Sequence, residues 1–242
     1  MDIEEIITRV TEEVYAHLTD ARPARCAAEL AGSIEHSLLN PDASADMIRK
    51  GCEEAKQYGF ANVCVSPYYV GMASEMLKGS GVAVCTAVGF PHGAASTKAK
   101  CAEIREAIMN GATELDVSMM IVALKSGDFE GAKKDLCEMV SVTGGRAKIK
   151  AIYEQGLLSD NEKAKALCIA MQCGVDFIKI SNALTGKKAC VEDVNFVRRQ
   201  IGDKMGIKID GGIKTADTAY GLIAAGANRL GCSASVKIVT GQ

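Results

Sequence analysis

Four stretches decide how this chain folds: Gly59-Phe-Ala-Asn-Val-Cys64, Gly111-Ala-Thr-Glu-Leu-Asp116, Gly174-Val-Asp-Phe-Ile-Lys179 and Gly226-Ala-Asn-Arg-Leu-Gly231. Each has the same layout. A run with helical periodicity ends, glycine supplies a left-handed closing residue, and a short apolar strand begins two or three residues later. The glycines are 52, 63 and 52 residues apart. That is about two strand–helix units each, so the four stretches precede strands 2, 4, 6 and 8. Between them, runs rich in Val and Ile place strands near 34–39, 62–66, 82–88, 114–119, 148–153, 177–181, 206–210 and 229–233. Ser159 and Glu162 form a capping box that opens the helix between strands 5 and 6. Near-continuous apolar strands alternating with helices imply a parallel sheet covered on its outer face. Eight such units closing on themselves make a (βα)8 TIM barrel of the α/β class; an open doubly wound sheet is the alternative.

The N-terminal part stands outside this repeat. Ile3, Ile6, Ile7, Val10, Val14 and Leu18 form one apolar stripe, and Asp2 with Glu5 fits a capping box, so residues 1–32 read as a helical extension. This start is acidic and helix-patterned, unlike a signal peptide. No linker or low-complexity segment interrupts the rest, which predicts one domain over 1–242 with the barrel in 33–242.

Composition narrows the function. The 242 residues are 48% hydrophobic and 24% charged, with 28 basic against 30 acidic residues and a net charge of −2. No basic stripe exists to follow a phosphate backbone, and no apolar run reaches the roughly 18 residues that span a bilayer. Nucleic acid and membrane are therefore not expected partners. Ten cysteines without a C-x-x-C and only three histidines predict no metal site. They predict free thiols in a reducing, cytoplasmic setting.

The informative residues are charges inside strands that should be apolar. Asp116 stands between Leu115 and Val117, strand 5 reads Lys148-Ile-Lys150-Ala-Ile-Tyr-Glu154, Lys179 lies between Ile178 and Ile180, and strand 7 reads Gly206-Ile-Lys208-Ile-Asp210-Gly-Gly212. With period 2, Lys148, Lys150, Ile152 and Glu154 share one face, as do Lys208 and Asp210. The isoleucines then face the helices and the charges face the barrel interior. Buried lysines are rare without partners, and an unpaired buried charge costs several kcal/mol. One explanation is a structural ion-pair network. The other is amine chemistry: two nearby lysines depress each other's pKa, and a neutral amine attacks a carbonyl to form a Schiff base, with Asp116 moving protons. Gly211-Gly212 after strand 7 and Gly231-Cys-Ser233 after strand 8 are places where backbone N–H groups could cradle a phosphate, although a tight turn explains a glycine pair equally well.

At these residues the chain resembles the deoxyribose-phosphate aldolases, class I (Schiff-base) enzymes on a (βα)8 barrel. The resemblance runs from Ile34 to about Val236. It is carried by Ile34-Glu-His-Ser-Leu-Leu, Phe60-Ala-Asn-Val-Cys-Val-Ser-Pro-Tyr, Cys85-Thr-Ala-Val-Gly-Phe-Pro-His-Gly and Ala123-Leu-Lys-Ser-Gly-Asp. By position it implies that Lys150, not Lys148, is the Schiff-base lysine. It further implies that Lys208 is the second lysine, lowering the nucleophile's pKa, and that Asp116 is the proton relay. Lys179 matches the strand-6 lysine. Glu35, Ser37, Gln155, Gly156, Lys179, Asp210, Gly211, Gly212 and Ser233 are the expected substrate-binding positions. Several depart from the family pattern: Glu35 replaces Asp, Gln155 replaces Thr, Ser181-Asn-Ala replaces S-T-G, and Met120 and Val122 replace Asn and Gly. Asp210 stands where the family has a small residue, and a C-terminal tyrosine of some members is missing. Asp210 would repel a phosphate dianion or pair with Lys208 or Lys179.

The resemblance implies a lyase without a cofactor that acts on a small carbonyl substrate, converting 2-deoxy-D-ribose 5-phosphate to glyceraldehyde 3-phosphate and acetaldehyde, and that pairs as a homodimer. An unphosphorylated, sugar-like substrate handled by the same imine, and a non-catalytic sugar-binding barrel, are the alternatives.

Overall fold

A computed structural model describes residues 24–241. The extension drawn from Ile3 to Leu18, with its capping box, lies outside the described residues. A helix α1 (Ala24–Ala31) leads directly into the first strand.

Eight strands follow, each parallel to its neighbours: β1 (Ile34–Leu38), β2 (Asn62–Val65), β3 (Ala83–Val88), β4 (Glu114–Ser118), β5 (Lys148–Glu154), β6 (Phe177–Ser181), β7 (Gly206–Asp210) and β8 (Arg229–Cys232). They form a closed barrel in sequence order, sealed where Glu35 of β1 registers with Gly231 of β8. The open-sheet alternative is thereby excluded. Around the barrel run α2 (Ala45–Tyr58), α3 (Val70–Leu77), α4 (Thr97–Met109), α5 (Ile121–Lys125), α6 (Phe129–Thr143), α7 (Asp160–Cys173), α8 (Val191–Ile201), α9 (Ala216–Ala224) and α10 (Ser235–Thr240).

The local signals act where the sequence places them. Gly59 and Gly174 close α2 and α7 at φ +70 and +71, a conformation that a side chain would strain. The Ser159–Glu162 capping box is formed at the start of α7. The apolar core lies between barrel and helices, not inside the barrel. Outward strand residues such as Ile34, Val63, Leu115, Ile149, Ile178, Ile207 and Leu230 pack against Ile48, Ile104, Leu136, Leu167, Val194 and Leu222. Burying each such side chain contributes about 1.5–3 kcal/mol. Alternate residues therefore face inward, which leaves the interior free to be polar.

One expectation about cysteine is corrected. Cys137 on α6 and Cys173 at the end of α7 are joined in a disulfide, with Cα atoms 4.9 Å apart. The two helices pack side by side and bring together residues 36 apart in sequence, which spacing could not reveal. Cys52, Cys64, Cys85, Cys101, Cys168, Cys190 and Cys232 are free.

Candidate active site

The inward faces of β4 to β7 bring the predicted charges together. In register, Asp116 lies beside Lys150, Ile152 beside Lys179, and Lys179 beside Lys208. Asp116 is the hub. Its Oδ1 accepts from Lys150 Nζ at 3.2 Å, and its Oδ2 accepts from Lys179 at 2.8 Å and Lys208 at 2.6 Å. Glu35, on the far side from β1, accepts from Lys208 through Oε2, which also lies 3.2 Å from Lys150. Its extra methylene relative to Asp supplies the reach. Asp210 pairs with Lys179 at 2.7 Å and stands 4.0 Å from Lys208. Lys150, Lys208, Asp116 and Glu35 are completely buried.

Three members escaped the sequence reading. Glu114 opens β4, and its carboxylate is 2.6 Å from Lys150 Nζ while accepting from Asn62 Nδ2 at 2.7 Å. Arg229 at the start of β8 is 3.9 Å from the other Glu114 oxygen. Cys85 accepts from Lys150 at 3.4 Å and its thiol donates to Asp116 at 3.3 Å. The donor atoms of Cys64, Cys85 and Asp116 all lie within 4.8 Å of one another, but both Asp116 oxygens already serve lysines. Lys148, by contrast, starts β5 at the exposed lower edge and is not part of the interior. The cluster thus sets four cations (Lys150, Lys179, Lys208, Arg229) against four carboxylates (Glu35, Glu114, Asp116, Asp210).

That balance reverses the expected direction of the Lys150 pKa. Burial disfavours its charge and Lys208 pulls the same way, but Asp116, Cys85 and Glu35 outweigh both. The ammonium is held well above the ordinary lysine value. Lys208 is raised likewise, against burial, by Asp116, Asp210 and Glu35. Asp116 is held well below the carboxylate range: burial opposes this, and Lys150, Lys179 and Lys208 overcome it.

Above the cluster, at the C-terminal ends of the strands, opens a cavity of about 550 Å³. Lys179, Asp210, Ser37, Gly211, Gly212 and Ser233 line it, with Lys187, Lys188 and Lys214 at its rim. Lys179 is the one lysine of the interior cluster that lines this mouth; Lys150 and Lys208 lie beneath. Phe90 stands over it, ring centre 5.8 Å from Lys179 Nζ. Gln155 is buried in the turn after β5, and Gly156 packs under Thr185, so neither lines the mouth. A larger hollow of about 600 Å³ lies at the opposite end of the barrel. Its charged groups, Arg146, Lys148 and Asp176, are exposed, and the bonds of Arg146 and Asp176 run to backbone atoms: Arg146 donates to the Thr143 carbonyl and Asp176 accepts from the Ile149 N–H.

The pattern of the DeoC/LacD family aldolases matches residues 33–238. The chain belongs to this family. It is 45% identical over 208 residues to a deoxyribose-phosphate aldolase of Brevibacillus brevis, covering 86% of this chain and 94% of the relative. It is 46% identical over 212 residues to that of Caldanaerobacter subterraneus, covering 87% and 92%. Among solved structures, an aldolase called QR15 superposes with a TM-score of 0.84 at 32% identity, over 88% of this chain and 95% of that one. A tetrameric deoxyribose phosphate aldolase from Aeropyrum pernix superposes with a TM-score of 0.82 at 29% identity, over 88% and 91%. The protein is an aldolase, an aldehyde-lyase acting on a small molecule. No helix among the described residues is long and apolar enough to cross a membrane.

Proposed function

We propose that the protein cleaves and forms the C–C bond of 2-deoxy-D-ribose 5-phosphate through an imine on Lys150, exchanging it with glyceraldehyde 3-phosphate and acetaldehyde. The observation that carries this is a fully buried lysine in contact with Asp116 at the floor of the barrel mouth, with a second amine, Lys179, on the same carboxylate and facing the cavity.

Lys150 rests as an ammonium, so it surrenders a proton before it attacks. Its neighbours Asp116, Glu35 and Glu114 are the acceptors at hand. The amine adds to the C1 aldehyde, and water leaves with a proton delivered through Asp116 or Lys179. The resulting iminium draws electrons from the C2–C3 bond as the C3 hydroxyl loses its proton. Glyceraldehyde 3-phosphate departs, the enamine is protonated at C2, and water releases acetaldehyde and restores the amine. Lys208 acts as a charge partner beneath. The phosphate is placed at the outer rim, on the backbone of Gly211 and Gly212 with Lys187, Lys188 and Lys214 nearby. Glu35, Ser37 and Ser233 complete the substrate-binding set, with Gln155 and Gly156 supporting it from behind. The chain is taken as one barrel domain with an N-terminal extension, cytoplasmic, and assembled as a homodimer, on the family resemblance.

Incubation with deoxyribose 5-phosphate and borohydride, followed by intact mass and peptide mapping, tests this reading. A reduced adduct on Lys150 is expected. An adduct on another lysine, or none, would refute it.

A further inference from the structure

Three polar atoms near the amine end of the mouth have no hydrogen-bond partner and no task in the reaction above: Asp210 Oδ1 and both amide atoms of Asn182. Asn182 is only 4% exposed yet lines the cavity, and it directly follows the strand that carries Lys179. Asp210 holds Lys179 through its other oxygen at 2.7 Å, and Lys179 in turn contacts Asp116 at 2.8 Å. The carboxylate fits because position 231 has no side chain: a Cβ there would stand 1.9 Å from Asp210 Oδ1. Asp210 thus sits against Lys179, which shares Asp116 with Lys150, the amine proposed to bind the donor carbonyl, and Asn182 lines the same cavity.

Buried polar groups are ordinarily satisfied, and a site that keeps them unsatisfied is shaped for a ligand that completes them. An ionised carboxylate only accepts, while an amide both accepts and donates; together they fit a hydroxyl. The two carbons that acetaldehyde supplies carry none. We infer that this site also takes donors bearing a hydroxyl on the carbon next to the carbonyl, such as glycolaldehyde, with Asp210 and Asn182 as the residues that select them. The inference rests on the Lys150 imine proposed above. Lys150 adds to the donor carbonyl and water leaves. The neighbouring carbon loses a proton to give a hydroxy-enamine, which bonds to the carbonyl carbon of the acceptor aldehyde. The acceptor oxygen takes up a proton, and water returns to free the amine, so atoms balance and no oxidant is needed.

Initial rates of addition to glyceraldehyde 3-phosphate, with acetaldehyde or glycolaldehyde as donor, test it in the wild type, Asp210→Ser and Asn182→Ala. The wild type is expected to use both donors. In each variant the ratio of kcat/KM for glycolaldehyde to that for acetaldehyde should fall by about tenfold or more, because a site built to bond a hydroxyl discriminates through that bond. Thermal unfolding checks that each variant is folded, and Asn182→Ala carries the test if Asp210→Ser is not. An unchanged ratio, or a wild type that uses acetaldehyde and ignores glycolaldehyde, overturns this inference and leaves the aldolase reading intact. Absence of a borohydride-trapped adduct on Lys150 with either donor overturns both.

Discussion

Two buried lysine sites in this barrel are built to opposite rules. Lys100 on α4 and Asp135 on α6 form a pair with side-chain exposures of 0% and 1%, 2.6 Å apart. The ammonium's remaining contacts are the carbonyls of Gly93 at 3.3 Å and Ser118 at 3.4 Å, and the second Asp135 oxygen accepts from Thr97. Every atom is used once. In the barrel interior, three lysines share Asp116, two share Glu35, and Glu35 Oε1 and Asp210 Oδ1 accept no hydrogen bond. The first arrangement holds a loop to two helices. The second keeps charges that can exchange protons. Equal burial therefore does not mean equal purpose: what separates a structural pair from a reactive one is whether its hydrogen-bonding capacity is filled.

The largest effect that tests this contrast is Lys150→Met. Turnover of deoxyribose 5-phosphate should fall by at least about 10⁴-fold, as when a covalent nucleophile is lost. Lys100→Met should instead leave the reduced adduct on Lys150 forming. If the Lys150 variant kept more than a hundredth of the activity, the interior cluster would be structural after all.

Lys100→Met should show its effect in stability, at about 3–5 kcal/mol, because it strands a buried Asp135 carboxylate. Urea unfolding measures this. Replacing both partners, Lys100→Met with Asp135→Leu, should recover most of the loss, since neither charge is then left alone. Failure to recover would mean that the pair supplies something a packed apolar surface cannot.

The difference between the two sites was only half visible in the sequence. Charges flanked by isoleucine in β5, β6 and β7 marked Lys150, Lys179 and Lys208 as inward, because period 2 leaves them no other face. The same rule misplaced Lys148, which starts its strand at the exposed barrel edge. Glu114 and Arg229 were missed for the converse reason. Each opens a strand, where a charge ordinarily meets water; the pairing of β4 with β5 sets Glu114 against Lys150, and the closed barrel brings Arg229 to Glu114. The sign of the Lys150 shift depends on Asp116, Cys85 and Glu35, which together outweigh burial and Lys208. Lysine spacing shows which amines converge, whereas Glu35, Glu114, Asp116 and Asp210 arrive from β1, β4 and β7, and no local pattern announces that meeting. Lys100 gave no signal, since one lysine on an amphipathic helix reads as a surface residue.

The shared carboxylates also set a pH signature. Lys150 and Lys208 are held above 10.5, so their pairing stabilises fully below that value and is lost as pH rises through the higher folded value. Asp116 and Glu35 are held below 3.8 and 4.5, so their contribution is present above those values and is lost as pH falls through the lower folded ones. Catalysis runs the other way on the lysine side, because attack needs the free amine. The rate constant kcat/KM should climb between about pH 6 and 9. Glu35→Gln removes one carboxylate that holds the Lys150 ammonium and should move that limb to lower pH. An unmoved limb would assign the rate-limiting proton to another group.

The smallest effect joins the two sites. Lys100 binds the carbonyl of Gly93, and a Cβ at Gly93 would run into Met119 O, so the segment from Gly89 to Ser96 is fixed from below. Phe90 rides on that segment, with its ring 5.8 Å from Lys179 Nζ. A ring so placed attracts an ammonium by about 0.5–1 kcal/mol at a partly open site, so Phe90→Ala should change KM by a few fold and leave the fold intact. If Lys100 acts on the mouth only by seating Phe90, the folded Lys100→Met protein should show the same change in KM. The double variant should then add nothing further, which a double-mutant cycle on KM reads directly. Additive changes would mean that the closed pair reaches the substrate by a second route, and the division between holding and reacting would be less clean than the geometry draws it.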